Sequence, residues 1–361
     1  MKRLGWLPVL SALVFVAMIA VGVWLLSETP GSLVNEEPDR QGPTPGPAGE
    51  TIIVKVEEGE SAESIGEALE NAGVIESARQ FQALAGLLGV SDDLEAGDYE
   101  FERGQTALSA VQRISQGLTA ALVVNIREGL RLEEIAELLE ARGVVSADEF
   151  RRALGDQYEA AFLAELPAAS SLEGFLFPAT YAFSRNETGH QVVQKMLDAF
   201  DQRYRESLRP LLRSGGPSLR DIVILASIVE REAQVASERT TIASVFENRL
   251  EQGIPLQADP TVQYALGNDP ASVTESGYWK AELTLADLAI DSPYNTYANV
   301  GLPPGPIANP GLDSLLAAAQ PAETNYLFFV ARPDGSHVFA ETLEEHRQNV
   351  CQIDPTRPEC G

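Results

Sequence analysis

The chain has 361 residues, enough for two or three domains, and a formal net charge of −27. That charge repels a phosphate backbone, and with no basic patch of interleaved aromatics it argues against nucleic acid as a partner. The three histidines (His190, His337, His346) fall in no metal-ligand spacing, so neither a metal nor a cofactor is expected.

Residues 1–4 bring Lys2 and Arg3 ahead of 5–26, a run without a charged residue. Such a run is long enough for a helix to cross a hydrocarbon core of about 30 Å. The apolar part of a cleaved signal peptide is usually shorter and ends at a small-residue site, which LLSETPGS (25–32) matches poorly. The reading is a retained transmembrane helix. Positive residues before it and acidic bulk after it leave the N-terminus in the cytoplasm and the rest of the chain outside the cytoplasmic membrane. Residues 27–50, rich in Pro, Gly and acidic side chains, read as an extended linker without a core.

Residues 51–121 read β-α-α-β-α, and 122–155 opens a second copy of the first half. VKVEEG at 54–59 recurs as VNIREG at 124–129, and Ile65, Leu69, Gly73 and Val74 recur as Ile135, Leu139, Gly143 and Val144. Each copy is an alternating strand, a Gly turn and an amphipathic helix stopped by Gly. Such units bind extended polymers or simply support a neighbour, and the residues leave both open.

SLEGFLFP (171–178) is an apolar loop around one carboxylate, Glu173, which either packs in the core or faces a ligand. Residues 189–208 read as an amphipathic helix. The next helix opens at Ser218 with a Ser-x-x-Asp start signal and is apolar from Ile222 to Val229, too uniformly for a half-exposed surface helix. It ends on Glu230 and Glu232, which helix geometry sets about 200° apart around the axis. Glu230 shares its face with Val223, Ala226 and Ser227, small enough to leave room for a ligand beside an acid. Burial raises a carboxyl's pKa and suits it to donate a proton. The same residues also read as a polar helix end pairing with Arg231 or Arg239.

A second helix over 236–250 ends at Gly253. LQADPTVQY (256–264) then gathers Gln257, Asp259 and Tyr264, SPYNTY (292–297) gathers Tyr294, Asn295 and Tyr297, and GLPPGPIANP (301–310) is dense in Pro and Gly. Such a loop has little backbone freedom to lose on folding, and its amides and phenols suit sugar rings with hydroxyl edges and apolar faces. An irregular scaffold loop is the other reading. Residues 326–331 and 337–340 flank Pro333-Asp334-Gly335-Ser336 as a hairpin, and 343–350 form a helix in which His346 is structural. In an oxidising compartment Cys351 and Cys360 of the 351–361 tail can close a small loop. No G-x-S-x-G offers a serine nucleophile, and none of Lys2, Lys55, Lys195 and Lys280 stands beside a phosphate loop as a Schiff-base lyase would need.

LEGFLFPATY (172–181), LASIVEREA (225–233), ASVFENRL (243–250), LQADPTVQYALG (256–267), SPYNTY (292–297), GLPPGPIANPG (301–311) and FAETLEEH (339–346) together resemble, in content and order, the MltG-type endolytic murein transglycosylases, the YceG-like family. The resemblance covers 51–350. Ala179 departs from it, standing where the family's FPxTY motif usually carries an acid. The resemblance implies an α+β fold: a transmembrane helix (5–26), a LysM-like α/β module (51–121), a mixed α+β catalytic region (122–350) and the tail.

It also implies a lyase that cuts peptidoglycan glycan strands internally, with Glu230 as catalytic acid. Glu173, Gln257, Asp259, Tyr264, Tyr294, Asn295 and Tyr297 are the candidates for the substrate groove. The expected partners are the glycan strands, the membrane through 5–26, and penicillin-binding proteins or other wall synthases. A non-catalytic wall-binding scaffold is the alternative function. Glu230→Gln is expected to abolish anhydro-ended products, with Glu232 the residue to test next.

Overall fold

The computed structural model describes residues 51–360, apart from 118, 168, 169, 185, 186, 213, 214, 358 and 359. The expected span 5–26 and linker 27–50 lie outside the described residues. Among those described, no helix is long and apolar enough to cross a membrane.

Strand β1 (Thr51–Val56) pairs antiparallel with β2 (Gly97–Glu102), Val54 opposite Tyr99. Alternation turns Val54, Val56, Tyr99 and Phe101 inward onto helices α1 (Ala62–Asn71), α2 (Ala78–Leu88) and α3 (Ala107–Ser115). Ser61, Ser77 and Thr106 cap these helices by accepting from the N–H three residues on. Ile65, Leu69, Phe81 and Ile114 complete a core of their own.

The second copy runs further than its sequence match. β3 (Ala121–Asn125), α4 (Leu132–Ala141) and α5 (Ala147–Ala153) repeat the first half. β4 (Thr180–Ser184) then pairs antiparallel with β3, Val124 opposite Tyr181, and α6 (Gly189–Arg203) follows, so the β-α-α-β-α order is complete twice. The match stops at 155 because 154–179 replaces the short 89–96 connection of the first copy. That longer segment carries Phe162 and Phe175 into the core, where the two rings stack on each other and meet Phe200 of α6 at tilted and edge-on angles. The turn glycines of the repeat fall in the left-handed region in both copies, Gly59 at φ 76° and Gly129 at φ 79°.

The second core gathers around α7 (Leu219–Glu232). Ser218 and Asp221 form the expected capping box, and every residue from Ile222 to Val229 is buried. A 3-10 turn (Ala236–Glu238) leads into α8 (Arg239–Glu251), a division of the single helix expected over 236–250. Asp-Pro opens α9 (Asp259–Leu266), a helix the loop-like composition of 256–264 does not announce. After α10 (Pro270–Ser276) the chain is irregular through 310 apart from a 3-10 turn (Asp287–Ala289), then forms α11 (Leu312–Ala319) against α7 and α8. The expected hairpin, β5 (Phe328–Ala331) and β6 (His337–Ala340), is followed by α12 (Leu343–Ile353).

Asn309 pins this irregular segment to the second copy. Fully buried, it accepts from the Gly174 and Leu176 N–H groups (3.0 Å each) and donates to Leu130 O and Glu173 Oε1 (3.0 Å each). Asn309→Ala strands two buried N–H groups, and we expect it to lower the unfolding free energy by about 3 kcal/mol in urea titrations at unchanged slope.

Candidate active site

A cleft of about 410 Å³ opens where the C-terminal end of α7 meets α9, the hairpin and α12. Glu232, Arg249, Gln257, Asp259 and Tyr297 give its polar lining, with Phe328, Phe329, Leu343 and His346 opposite. α8 fixes the walls. Asn248 donates to Thr324 O and Tyr326 O (2.9 Å each), and Arg249 Nε donates to Leu327 O (2.6 Å), which together hold the hairpin. Arg249 Nη1 donates to Leu256 O (2.7 Å) and Pro255 O (3.3 Å), which holds the approach to Gln257.

The turn before α9 is set by two threonines. Thr296 Oγ1 accepts from Ala258 N (3.0 Å) and meets Thr261 Oγ1 at 2.8 Å, while Gln257 N donates to Thr296 O (3.1 Å). Gln257 takes φ 50°, the sole positive φ of a non-glycine among the described residues. A side chain held in that sparsely populated region is strained, and its amide stands exposed on the cleft.

Glu232 is the last residue of α7 and is partly buried on the cleft wall. Burial first, then the neighbouring Asp259 carboxylate, push its carboxyl up to about 8, against weaker opposition from Arg231 and Arg249. The C-terminal end of a helix is also its negative pole, which disfavours an anion there. Tyr297 donates from its hydroxyl to Asp259 Oδ1 (2.6 Å), so the group beside Glu232 is fixed in place. Burial and then Asp259 hold the Tyr297 phenol well above its ordinary value, and it stays a donor.

The expected acid, Glu230, lies elsewhere. It faces away from Glu232 around the helix and is not among the residues lining this cleft. Its side chain is 8% exposed; Oε2 accepts from the Gly311 N–H (3.0 Å) and Oε1 lies 3.6 Å from Arg239 Nη2. The small face it shares with Val223 and Ser227 is filled by protein: Ser227 Oγ accepts from Ile307 N (3.0 Å), and a Cβ on Gly174 would meet Val223 at 2.7 Å. Of the two glutamates that end α7, Glu232 lines the cleft and Glu230 does not.

Three of the expected groove residues, Gln257, Asp259 and Tyr297, do meet at the cleft. Glu173 does not: it is 3% exposed, accepts from Leu132 N (3.3 Å), Tyr264 Oη (3.4 Å) and Asn309, and burial raises it to about 8. Tyr264 and Tyr294 pack ring against ring beside it, at 4.8 Å, under the buried Arg131 guanidinium 4.1 Å above Tyr264. Asn295 is fully buried, with its amide donating to Leu288 O and Ile290 O. Glu173, Tyr264 and Asn295 thus turn to internal partners, and none of the four is among the residues lining the cleft. Sequence reasoning also missed Arg249, Phe328 and Phe329. It read His346 as merely structural, whereas the ring stacks on Phe328 at 5.3 Å and lines the cleft. Phe328 and Phe329 are consecutive in β5, so the pleat turns them to opposite faces: Phe329 packs beside Phe246 on the main core, and Phe328 meets His346. Cys351 and Cys360 are joined, as their placement in the tail allowed.

One protonated acid, a hydroxyl-bound anion beside it, an exposed amide and an aromatic wall make a site for acid–base work on a hydroxyl-rich ligand. Residues 54–352 match the model of the YceG-like family, and the chain belongs to that family. It is 34% identical to an endolytic murein transglycosylase of Bacillus subtilis over 82% of this chain and 83% of that protein. A second one, from Streptococcus pneumoniae D39, is 30% identical over 83% of this chain, which spans only 58% of that longer relative. A crystal structure of a YceG-like protein from Listeria monocytogenes superposes with a TM-score of 0.55 at 33% identity, covering 83% of this chain and 98% of that one.

Gln257→Gly relieves the positive φ and removes the amide. We expect the unfolding free energy to stay level or rise by about 1 kcal/mol, while turnover of the family's substrate falls at least about tenfold.

Proposed function

We propose that this protein is an endolytic murein transglycosylase in which Glu232 is the single acid and base. What carries the reading is the raised carboxyl of Glu232 on a cleft walled by Gln257, Asp259, Tyr297 and the hairpin aromatics, in a chain whose curated relatives bear that name. Hydrolysing glycosidases use two carboxylates, the second activating water or attacking the sugar. A lytic enzyme can use one. Protonated Glu232 gives its proton to the glycosidic oxygen leaving C1 of N-acetylmuramic acid. The resulting carboxylate takes the proton from the same sugar's C6 hydroxyl, which closes on C1 as a 1,6-anhydro ring. No water is consumed, and the attacking group is already tethered, which gives it a high effective concentration. Asp259, anchored by Tyr297, raises the acid and places a negative charge near the oxocarbenium-like state.

The surrounding assignments belong to the same proposal. The βααβ start of the described chain, with its own core, acts as a LysM-like glycan-binding module. Residues 5–26 anchor the chain in the cell membrane with the rest outside the cytoplasm, and nascent strands laid down by penicillin-binding proteins or other wall synthases are the substrate.

Incubation with murein sacculi followed by mass spectrometry tests the reading. Glu232→Gln is expected to lower the yield of anhydro-ended products by at least about a hundredfold, and Glu230→Gln to retain cleavage. Full activity in Glu232→Gln would return the acid to another residue. Absence of anhydro ends from the wild type would favour a non-catalytic scaffold.

The pH profile gives a second test. A raised acid is protonated, and so competent to donate, below its folded-state pKa; activity should fall as pH rises through about 8. Asp259→Asn removes one upward push and leaves burial, so the alkaline limb moves to lower pH without reaching that of an exposed carboxyl.

A further inference from the structure

The hairpin meets the cleft with a backbone edge as well as with rings. All four residues of β5, Phe328, Phe329, Val330 and Ala331, line the cleft, and none of β6 does. Successive side chains of a strand point to opposite faces, so a cleft lined by four in a row runs along the edge of β5 and not over one face. The register tells which backbone groups that edge offers. Arg332 N donates to Ser336 O (2.7 Å), and hydrogen-bonded pairs alternate with unbonded ones along an antiparallel ladder. Val330 opposite Val338 and Phe328 opposite Ala340 are therefore the bonded pairs, while the N–H and C=O groups of Phe329 and Ala331 point away from β6. Among the described residues this sheet has no third strand. Composition leaves the edge unguarded too: FFVA holds neither a charge nor a proline, the usual means of blunting an edge, and it runs from half-buried to exposed.

We propose that the open edge of β5 is a peptide subsite, where the stem peptide borne by the reacting N-acetylmuramic acid lays its amides along Phe329 and Ala331; the inference rests on the transglycosylase reading above. Murein carries its peptides on the lactyl group of that sugar, so a muramyl residue held at Glu232 brings its own peptide into the cleft that β5 borders. An unpaired edge recognises an extended chain through main-chain hydrogen bonds, and the surfaces beside it read side chains. Phe329 and Ala331 stand two residues apart, about 7 Å, and between them supply two donors and two acceptors. Leu343, 48% exposed, and the Phe328–His346 stack give the same cleft an apolar surface for the peptide's methyl groups. The tether favours this occupant over a second copy of the chain: a peptide linked to a bound sugar arrives at high effective concentration, whereas a second copy must be gathered from solution.

The test uses the full chain. Glu232→Gln is incubated with peptide-bearing or amidase-stripped strands, and amide hydrogen exchange is read residue by residue. Peptide-bearing strands should slow exchange at Phe329 and Ala331 at least about tenfold and change little at Phe328 and Val330, which β6 already holds; stripped strands should protect neither pair. Kinetics give a second reading. Wild type should show a KM about three- to tenfold lower for peptide-bearing than for stripped strands, the size of about one net hydrogen bond. Ala331→Pro deletes an outward N–H and no bond to β6, and it should bring the two KM values together at similar kcat; Ala331→Val keeps the N–H and should retain the difference. Equal protection by stripped strands, protection by neither, or a KM difference that Ala331→Pro does not narrow overturns the inference. Protection of the same two amides in the protein alone, rising with its concentration, assigns the edge to a second copy and also overturns it. A wild type that makes no anhydro ends, yet whose two amides are protected by peptide-bearing strands alone, fails the enzymatic reading and spares the subsite.

Discussion

A carboxyl at the C-terminal end of a buried helix is in the least hospitable place a helix offers an anion, and this site is built on that discomfort. α7 is buried from Ile222 to Val229, and three residues later Glu232 emerges at the cleft wall with the negative pole of the helix behind it and Asp259 in front. Its carboxyl therefore stays protonated through neutrality. The arrangement has a cost in linkage. A group raised from its ordinary value of 4.5 to about 8 contributes stability that is whole below the lower figure and lost as pH rises through the upper one. Glu173, raised by burial in the interior, adds to the same slope.

The rest of the fold keeps that carboxyl in register with its neighbours. Arg249 ties both the hairpin and the approach to Gln257 to α8, while the Thr261–Thr296 pair and Asn309 fix the irregular 256–310 segment from within. The Pro- and Gly-rich composition of that segment limits what it loses on ordering, but its position comes from buried amides and hydroxyls. Asn295, Tyr264 and Tyr294 belong to this inner frame and not to the lining of the cleft.

Much of this was legible in the residues, and the misses have physical causes. The buried character of α7, its capping box and the Asp-Gly hairpin are local patterns with fixed periods, and all three stand as read. The choice between Glu230 and Glu232 was not local. Both end the same helix, and the small residues beside Glu230, which read as space for a ligand, are small because the 301–311 loop packs onto them. Composition shows that a face is narrow without showing what fills it. The same limit explains Glu173 and Asn295: polar residues amid aromatics and prolines read alike whether they face a ligand or a carbonyl. The completion of the second repeat by β4 and α6 was hidden by the long 154–179 insertion, across which no sequence match carries.

The two repeats have had different fates. The first keeps a core bounded by residues 54 and 114, with Phe81 and Ile114 closing on its own strands. The second has merged its interior with the helices that build the cleft, through Phe162, Phe175 and Phe200. One copy is thus a detachable cartridge and the other a foundation stone. A descendant can trade the first for a different module, or go without it, while any substantial change to the second shifts the bed on which the Glu232 carboxyl lies.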